Sequence, residues 1–340
     1  MRKRVVALVV VVLCVGSAWY MFHYHVVIKQ SLSMLPAEQQ KEVKAYCLKV
    51  LAQIQDGKHD DLWEQTHPVL RQGVQKAAFV AAAKAMQPRV PKTAPLSVDW
   101  GWRIVRPKGA TEVVCRSSLD GSPDHYCVRG PECVRGFIIA VISVKTAPTA
   151  RSAVILLCRE GGALRLAGLS LVDTTYQGKD ARHYEKIGRK WLASGKALSA
   201  HVALTLAVYL DSLGPNLISS DALRLRRDFA AMRTQDQLAP TWTVGNEEFR
   251  VFRVGIITTL TDIPPHISYV SRVPLGEETS RSEAEKLMGY AMDTFPELFE
   301  EFPTVLFEAT ERLPGKGESV KSYRSPFSVE EWKQRKGRTG

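Results

Sequence analysis

A chain of 340 residues with 45% hydrophobic content is long enough for two or three domains and too apolar for a disordered polymer. Its 46 Lys and Arg against 35 Asp and Glu leave a formal charge of +11, which points to nucleic acid in a cytosolic protein and to envelope surfaces in an exported one. There is no His-Glu-x-x-His, no Gly-x-Ser-x-Gly and no phosphate-cradling glycine loop, so these metalloprotease, hydrolase and nucleotide-binding signatures are excluded.

The amino end carries a basic tip, Met1-Arg2-Lys3-Arg4, followed by an uncharged apolar run over residues 5–22. A helix rises about 1.5 Å per residue and a bilayer core is about 30 Å thick, so roughly 20 apolar residues span it. Residues 5–28 supply that length, with Trp19, Tyr20 and Tyr24 at the far end as an aromatic belt. The pattern predicts a single-pass signal-anchor in an inner membrane with its N-terminus in the cytoplasm. Everything after Lys29 would then lie in the periplasm or another extracytoplasmic space. The alternative is a signal peptide cut after Ala18, which would release a secreted protein. Lipidation of Cys14 is disfavoured because Leu13 is not small.

After a linker to Pro36, residues 37–55 show helical spacing through Val43, Cys47, Val50, Leu51 and Ile54. Asp56-Gly57 ends that helix, and His59-Asp60-Asp61 opens a second, with Asp60 or Asp61 as the expected cap. A third is predicted over 74–86. From Leu96 the period falls to two, and Val98, Trp100, Trp102 and Ile104 are expected on one face of a half-buried strand. Further strands are expected over 112–116, 137–144, 153–158 and 164–172, the last two joined at Glu160-Gly161-Gly162.

Helices followed by an antiparallel meander, with Asp56-Gly57-Lys58-His59-Asp60-Asp61-Leu62-Trp63 at the entry and Glu160-Gly161-Gly162-Ala163-Leu164-Arg165-Leu166-Ala167-Gly168 at the closing hairpin, resemble the NTF2-like superfamily over residues 37–175. The resemblance implies an α+β cone, a curved sheet wrapped over its N-terminal helices. It also implies one of two kinds of activity, because such cones serve either as isomerases and dehydratases with an internal acid or base, or as binding modules. The acid–base candidates here are His59, Asp60 and Asp99, with Asp61 and His67 behind them; capping and solvent exposure explain a helix-start carboxylate equally well.

Outside the apolar run lie Cys47, Cys115, Cys127, Cys133 and Cys158. Cys115, His125, Cys127 and Cys133 crowd one loop region, but their spacing is not that of a zinc ribbon, so no metal is expected. In an exported chain a disulfide among Cys115, Cys127, Cys133 and Cys158 is the simpler expectation, and Cys47 reads as a buried helical residue.

Residues 176–236 read as a helical connector, in which Arg224, Arg226 and Arg227 form a solvated face. Residues 237–313 read as a small ββαβ domain in which Ser280-Arg281-Ser282-Glu283 is expected to be a capping box. Leu298, Phe299 and Phe302 read as a core stripe with a wet back. Residues 314–340 form a basic tail, whose Tyr323, Phe327 and Trp332 either pack on the body or are offered to a partner. The whole predicts a tethered, non-catalytic binding or assembly module, residues 1–36 being tip, anchor and linker. Its expected partners are the membrane and an envelope protein or small ligand, with no nucleic acid and no cofactor. The alternative is an isomerase-, dehydratase- or hydrolase-like enzyme working in the cone.

Overall fold

The computed structural model describes residues 28–105, 112–116, 125–130, 136–146, 149–231, 241–259, 262–315 and 317–339. Among them no helix is long and apolar enough to cross a membrane. The longest, α1 (Ala37–Gln55), has the length but carries Glu38, Lys41, Glu42, Lys44 and Lys49. The fold class is therefore corrected to a mixed helix-and-sheet protein in which no described helix is transmembrane, and the inner-membrane placement is corrected with it. The expected run, 5–22, lies outside the described residues.

Two compact units emerge, one of residues 1–178 with 211–221 and one of residues 179–210 with 222–340. In the first, β1 (Ile28–Ser31) precedes α1, which buries Val43, Cys47, Val50, Leu51 and Ile54 as its spacing predicts. Gly57 then turns the chain at φ +73°, a conformation glycine adopts without steric cost. The second helix, α2 (His59–Glu64), is capped at Lys58, with Asp60 and Asp61 inside its first turn and not at the cap. Short α3 (Pro68–Gly73) and α4 (Lys76–Met86) complete the helical layer.

The strands β2 (Leu96–Val105), β3 (Glu112–Arg116), β4 (His125–Arg129), β5 (Gly136–Val144), β6 (Arg151–Glu160) and β7 (Ala163–Asp173) follow. The main sheet runs β1-β2-β5-β6-β7, antiparallel throughout. On one face Ile138, Ala140, Ile142, Ile155, Leu157 and Leu166 pack with Leu51, Ile54 and Leu62 of the helices. On the other, Trp102, Ile104, Ile139, Val141 and Leu156 pack with Val128 and Leu217. Double coverage explains why β5 and β6 read as unbroken apolar runs where a half-solvated strand alternates.

The single-face expectation for β2 fails at a bulge between Val98 and Trp100. The extra residue shifts the phase, so Val98 joins the helix-side cluster and Trp100, Trp102 and Ile104 join the opposite one. Beyond the bulge β2 and β5 come so close that a Cβ on Gly101 would lie 2.1 Å from the Ile139 carbonyl oxygen.

Two short strands, β8 (Thr175–Tyr176) and β9 (Lys179–Asp180), flank Gln177 and Gly178. Helices α5 (Ala181–Ala193) and α6 (Ala197–Asp211) come next. The chain then supplies β10 (Leu217–Ser219), which pairs with β4 and so extends the small β10-β4-β3 sheet of the first unit. Helix α7 (Ser220–Ala231) returns to the second unit, where Arg189 and Arg224 meet Glu185 and Asp228.

The second sheet is built from β11 (Thr241–Val244), β12 (Glu247–Ile256), β13 (Pro265–Val270), β14 (Thr304–Thr310) and β15 (Ser322–Ser328), in that order. Only β13 and β14 are parallel, and the connection between them holds α8 (Glu277–Thr294) and α9 (Leu298–Glu301). Leu298, Phe299 and Phe302 are buried, the core role their spacing suggests. The tail packs back as β15 and α10 (Val329–Thr339), with Phe327 edge-on to both Phe307 and Trp332.

The expected capping box does not form. Helix α8 starts at Glu277 behind Gly276, so Ser280 already lies in its second turn. Glu283 instead accepts hydrogen bonds from the Arg272 backbone N–H at 2.9 Å and the Ser271 hydroxyl at 2.7 Å. A buried carboxylate with two donors from the β13 exit serves the tertiary fold and not its own helix end.

Candidate functional site

The residues nominated from sequence are placed apart. His59 is buried, 7% exposed, and its Nε2 meets no protein hydrogen-bond partner among the described residues. Successive helical residues point about 100° apart, so the next residue, Asp60, is exposed and pairs with Lys76 Nζ at 3.0 Å. Asp99 is exposed at the β2 bulge, where it accepts hydrogen bonds from the Ser97 hydroxyl at 2.8 Å and from the Ser143 hydroxyl. Asp61 is exposed, and His67 caps α3, its Nδ1 accepting from the Val69 N–H at 3.2 Å. None of these side chains hydrogen-bonds another.

The disulfide expectation is corrected too. Cys47, Cys127 and Cys158 are buried thiols, and burial pushes that of Cys47 up to about 12. The register explains why β3 and β4 are not stapled: Cys127 stands opposite Val114, whereas Cys115 stands opposite Tyr126. Neighbouring strand positions alternate faces, and a bridge needs Cβ atoms about 3.5–4.5 Å apart. Cys158 is opposite Arg165 in the β6–β7 pair, and Cys133 lies outside the described residues.

What the first unit does contain is a cavity of ≈ 290 Å³ at one end of the main sheet. Arg103, Ile138 and Leu157 form a row across β2, β5 and β6. The row beyond it pairs Val105 with Gly136 and Arg159 with Leu164. Gly136 has no side chain to fill the middle of that outer row, and a Cβ built there comes no closer than 3.8 Å to Val105 Cγ2. The resulting space has Ile138, Leu157 and Leu164 as an apolar lining and Gln39, Arg103 and Arg159 as its polar groups. Arg159 is engaged by the Glu42 carboxylate and the Gly162 carbonyl oxygen. Arg103 is exposed and pairs with no carboxylate among the described residues.

The second unit holds a polar cluster that sequence reading missed. His266, 2% exposed, places Nε2 3.1 Å from Glu308 Oε2 and 3.4 Å from the Ser268 hydroxyl. The other Glu308 oxygen accepts from Arg324 Nε at 2.9 Å and the Ser322 hydroxyl at 3.1 Å. Burial drives His266 below the ordinary imidazole value, outweighing the pull of Glu308. For Glu308, burial pushes up but Arg324, His266 and Ser322 together hold the carboxyl below its usual range. Ser268 and Glu308 thus approach the same ring nitrogen. A nucleophile–base–orienter relay needs them on opposite nitrogens, so this arrangement holds strands and does not activate Ser268. The available signal was the polar alternation of His266 and Ser268 within an otherwise apolar strand.

No protein-family model, curated protein or solved structure matches this chain.

Proposed function

We propose that the chain is a non-catalytic binding or assembly module. The observation that carries this reading is the filling of both faces of the main sheet by apolar side chains, which leaves His59, Asp60 and Asp99 in separate surroundings. A general acid–base site needs its groups within about 2.6–3.2 Å of the proton they move, with a partner to orient them. An isomerase- or dehydratase-like cone would have to assemble such a set from residues that here are spent on a salt bridge, a bulge and a packed core. The NTF2-like likeness of residues 37–175 belongs to the same proposal and is supported by the order of helices, then antiparallel strands, with the helices on one sheet face.

The partner is a protein or a small ligand. Cross-linking of the tagged chain in its own cells, mass mapping, and reassembly from purified components test this. Recurrent cross-links from defined lysines to one partner that re-forms a complex are expected. Cross-links confined to the chain itself, with no ligand bound, would overturn the reading. So would a turnover reaction abolished by Asp99→Asn or His59→Asn in a folded protein.

A further inference from the structure

We propose that the cavity at the end of the main sheet binds a small organic monoanion, a carboxylate on a compact aliphatic or aromatic body. The proposal rests on the reading of the chain as a binding module and names the ligand class. Ligand pockets are concave and mostly apolar, of roughly 300–1,000 Å³, with a few convergent polar groups. This one, at ≈ 290 Å³, lies just below that range, which limits it to a small ligand.

The chemistry follows from the three polar groups. The apolar lining of Ile138, Leu157 and Leu164 recovers the hydrophobic free energy of a carbon skeleton. Arg103 brings a planar fork that accepts a carboxylate on two parallel N–H bonds, and among the described residues no carboxylate already occupies it. Arg159 stands at the same cavity with its charge balanced by Glu42. One net positive charge is therefore on offer, and a dianion such as a phosphate monoester would place its second charge near that carboxylate. Gln39, at the start of α1, adds an uncharged donor. The site exists because position 136 is glycine, and that makes the cavity testable independently of the charge.

The test is calorimetric titration of the full chain with octanoate, with octan-1-ol as the uncharged control. One octanoate per chain is expected. Arg103→Gln should weaken octanoate by about tenfold or more, the worth of a charge-assisted pair, and leave octanol nearly unchanged. Gly136→Phe should remove binding of both by filling the cavity. If that variant melts early, Gly136→Val takes its place, its Cβ meeting Val105 Cγ2 at an ordinary 3.8 Å. Absence of octanoate binding to the unmodified chain overturns the proposal, and so does undiminished affinity in either folded variant. Absence of octanoate binding with partner cross-links intact sinks the cavity alone; loss of both sinks the binding-module reading as well.

Discussion

The two five-stranded sheets of this protein bury their faces in opposite ways. In the first unit β5 and β6 are apolar on both sides, and the buried charge sits at their margin, where Asp173 receives Arg89 Nη2 at 2.6 Å and Arg151 Nε at 2.8 Å. In the second unit one sheet face packs on α8, as Tyr269 shows by donating its hydroxyl to the Ser280 carbonyl at 3.2 Å, while the other carries His266, Ser268, Glu308 and Arg324. Apolar layers on both sides leave the middle of a sheet no place for converging ionisable groups, and Arg103 and Arg159 meet only at its end. A polar face provides one, yet here those groups satisfy each other. The difference shows that buried polar residues alone do not make an active site; the free valences of the groups decide.

The largest loss is expected on removing the marginal charge of the first unit. Asp173→Ala leaves two guanidiniums, 15% and 14% exposed, without their shared carboxylate. It should cost about 3–5 kcal/mol in a urea titration; a cost below about 1 kcal/mol would show that the clamp is not part of the stability. Next comes the apolar filling itself: Ile155→Ala, at a fully buried position of β6, should cost about 2–5 kcal/mol. Its polar counterpart in the second unit, Ser268→Ala, should cost only about 1 kcal/mol or less, because Glu308 and His266 keep each other.

A pH series separates the units further. An unfolded imidazole takes up its proton near the ordinary value, whereas His266 in the fold does so only at lower pH. The unfolded state therefore binds more protons in that window, and stability falls as pH drops below the ordinary imidazole value. Glu308, held low, keeps contributing there and loses its contribution only as the pH falls through its own depressed value. Protection factors of the β13 and β14 amides, with the intrinsic slowing of exchange at lower pH divided out, should fall between pH 7 and pH 5, and His266→Asn should flatten that response; an equal response in both proteins would place the titration elsewhere. The smallest effect belongs to Asp60→Asn, whose carboxylate is 72% exposed. It should stay within about 0.5 kcal/mol in thermal melts, and a larger loss would mean that the helix start is more than a solvated turn.

Local periodicity carried the elements that depend only on neighbours in the chain. The 3.6-residue stripe of Val43, Cys47, Val50, Leu51 and Ile54 and the long apolar runs of β5 and β6 were legible because burial imprints them residue by residue. Apolar content marked the chain as globular, and its 340 residues set the expectation of two or three domains. What pairs with what was decided only in three dimensions. The β2 bulge, the diversion of Glu283 from its own helix end, the phase of Cys115 against Cys127, the gap left at Gly136 and the meeting of His266 with Glu308 all turn on register between distant segments. A shift of one residue in a strand reverses every side chain, and no single stretch of sequence records that phase.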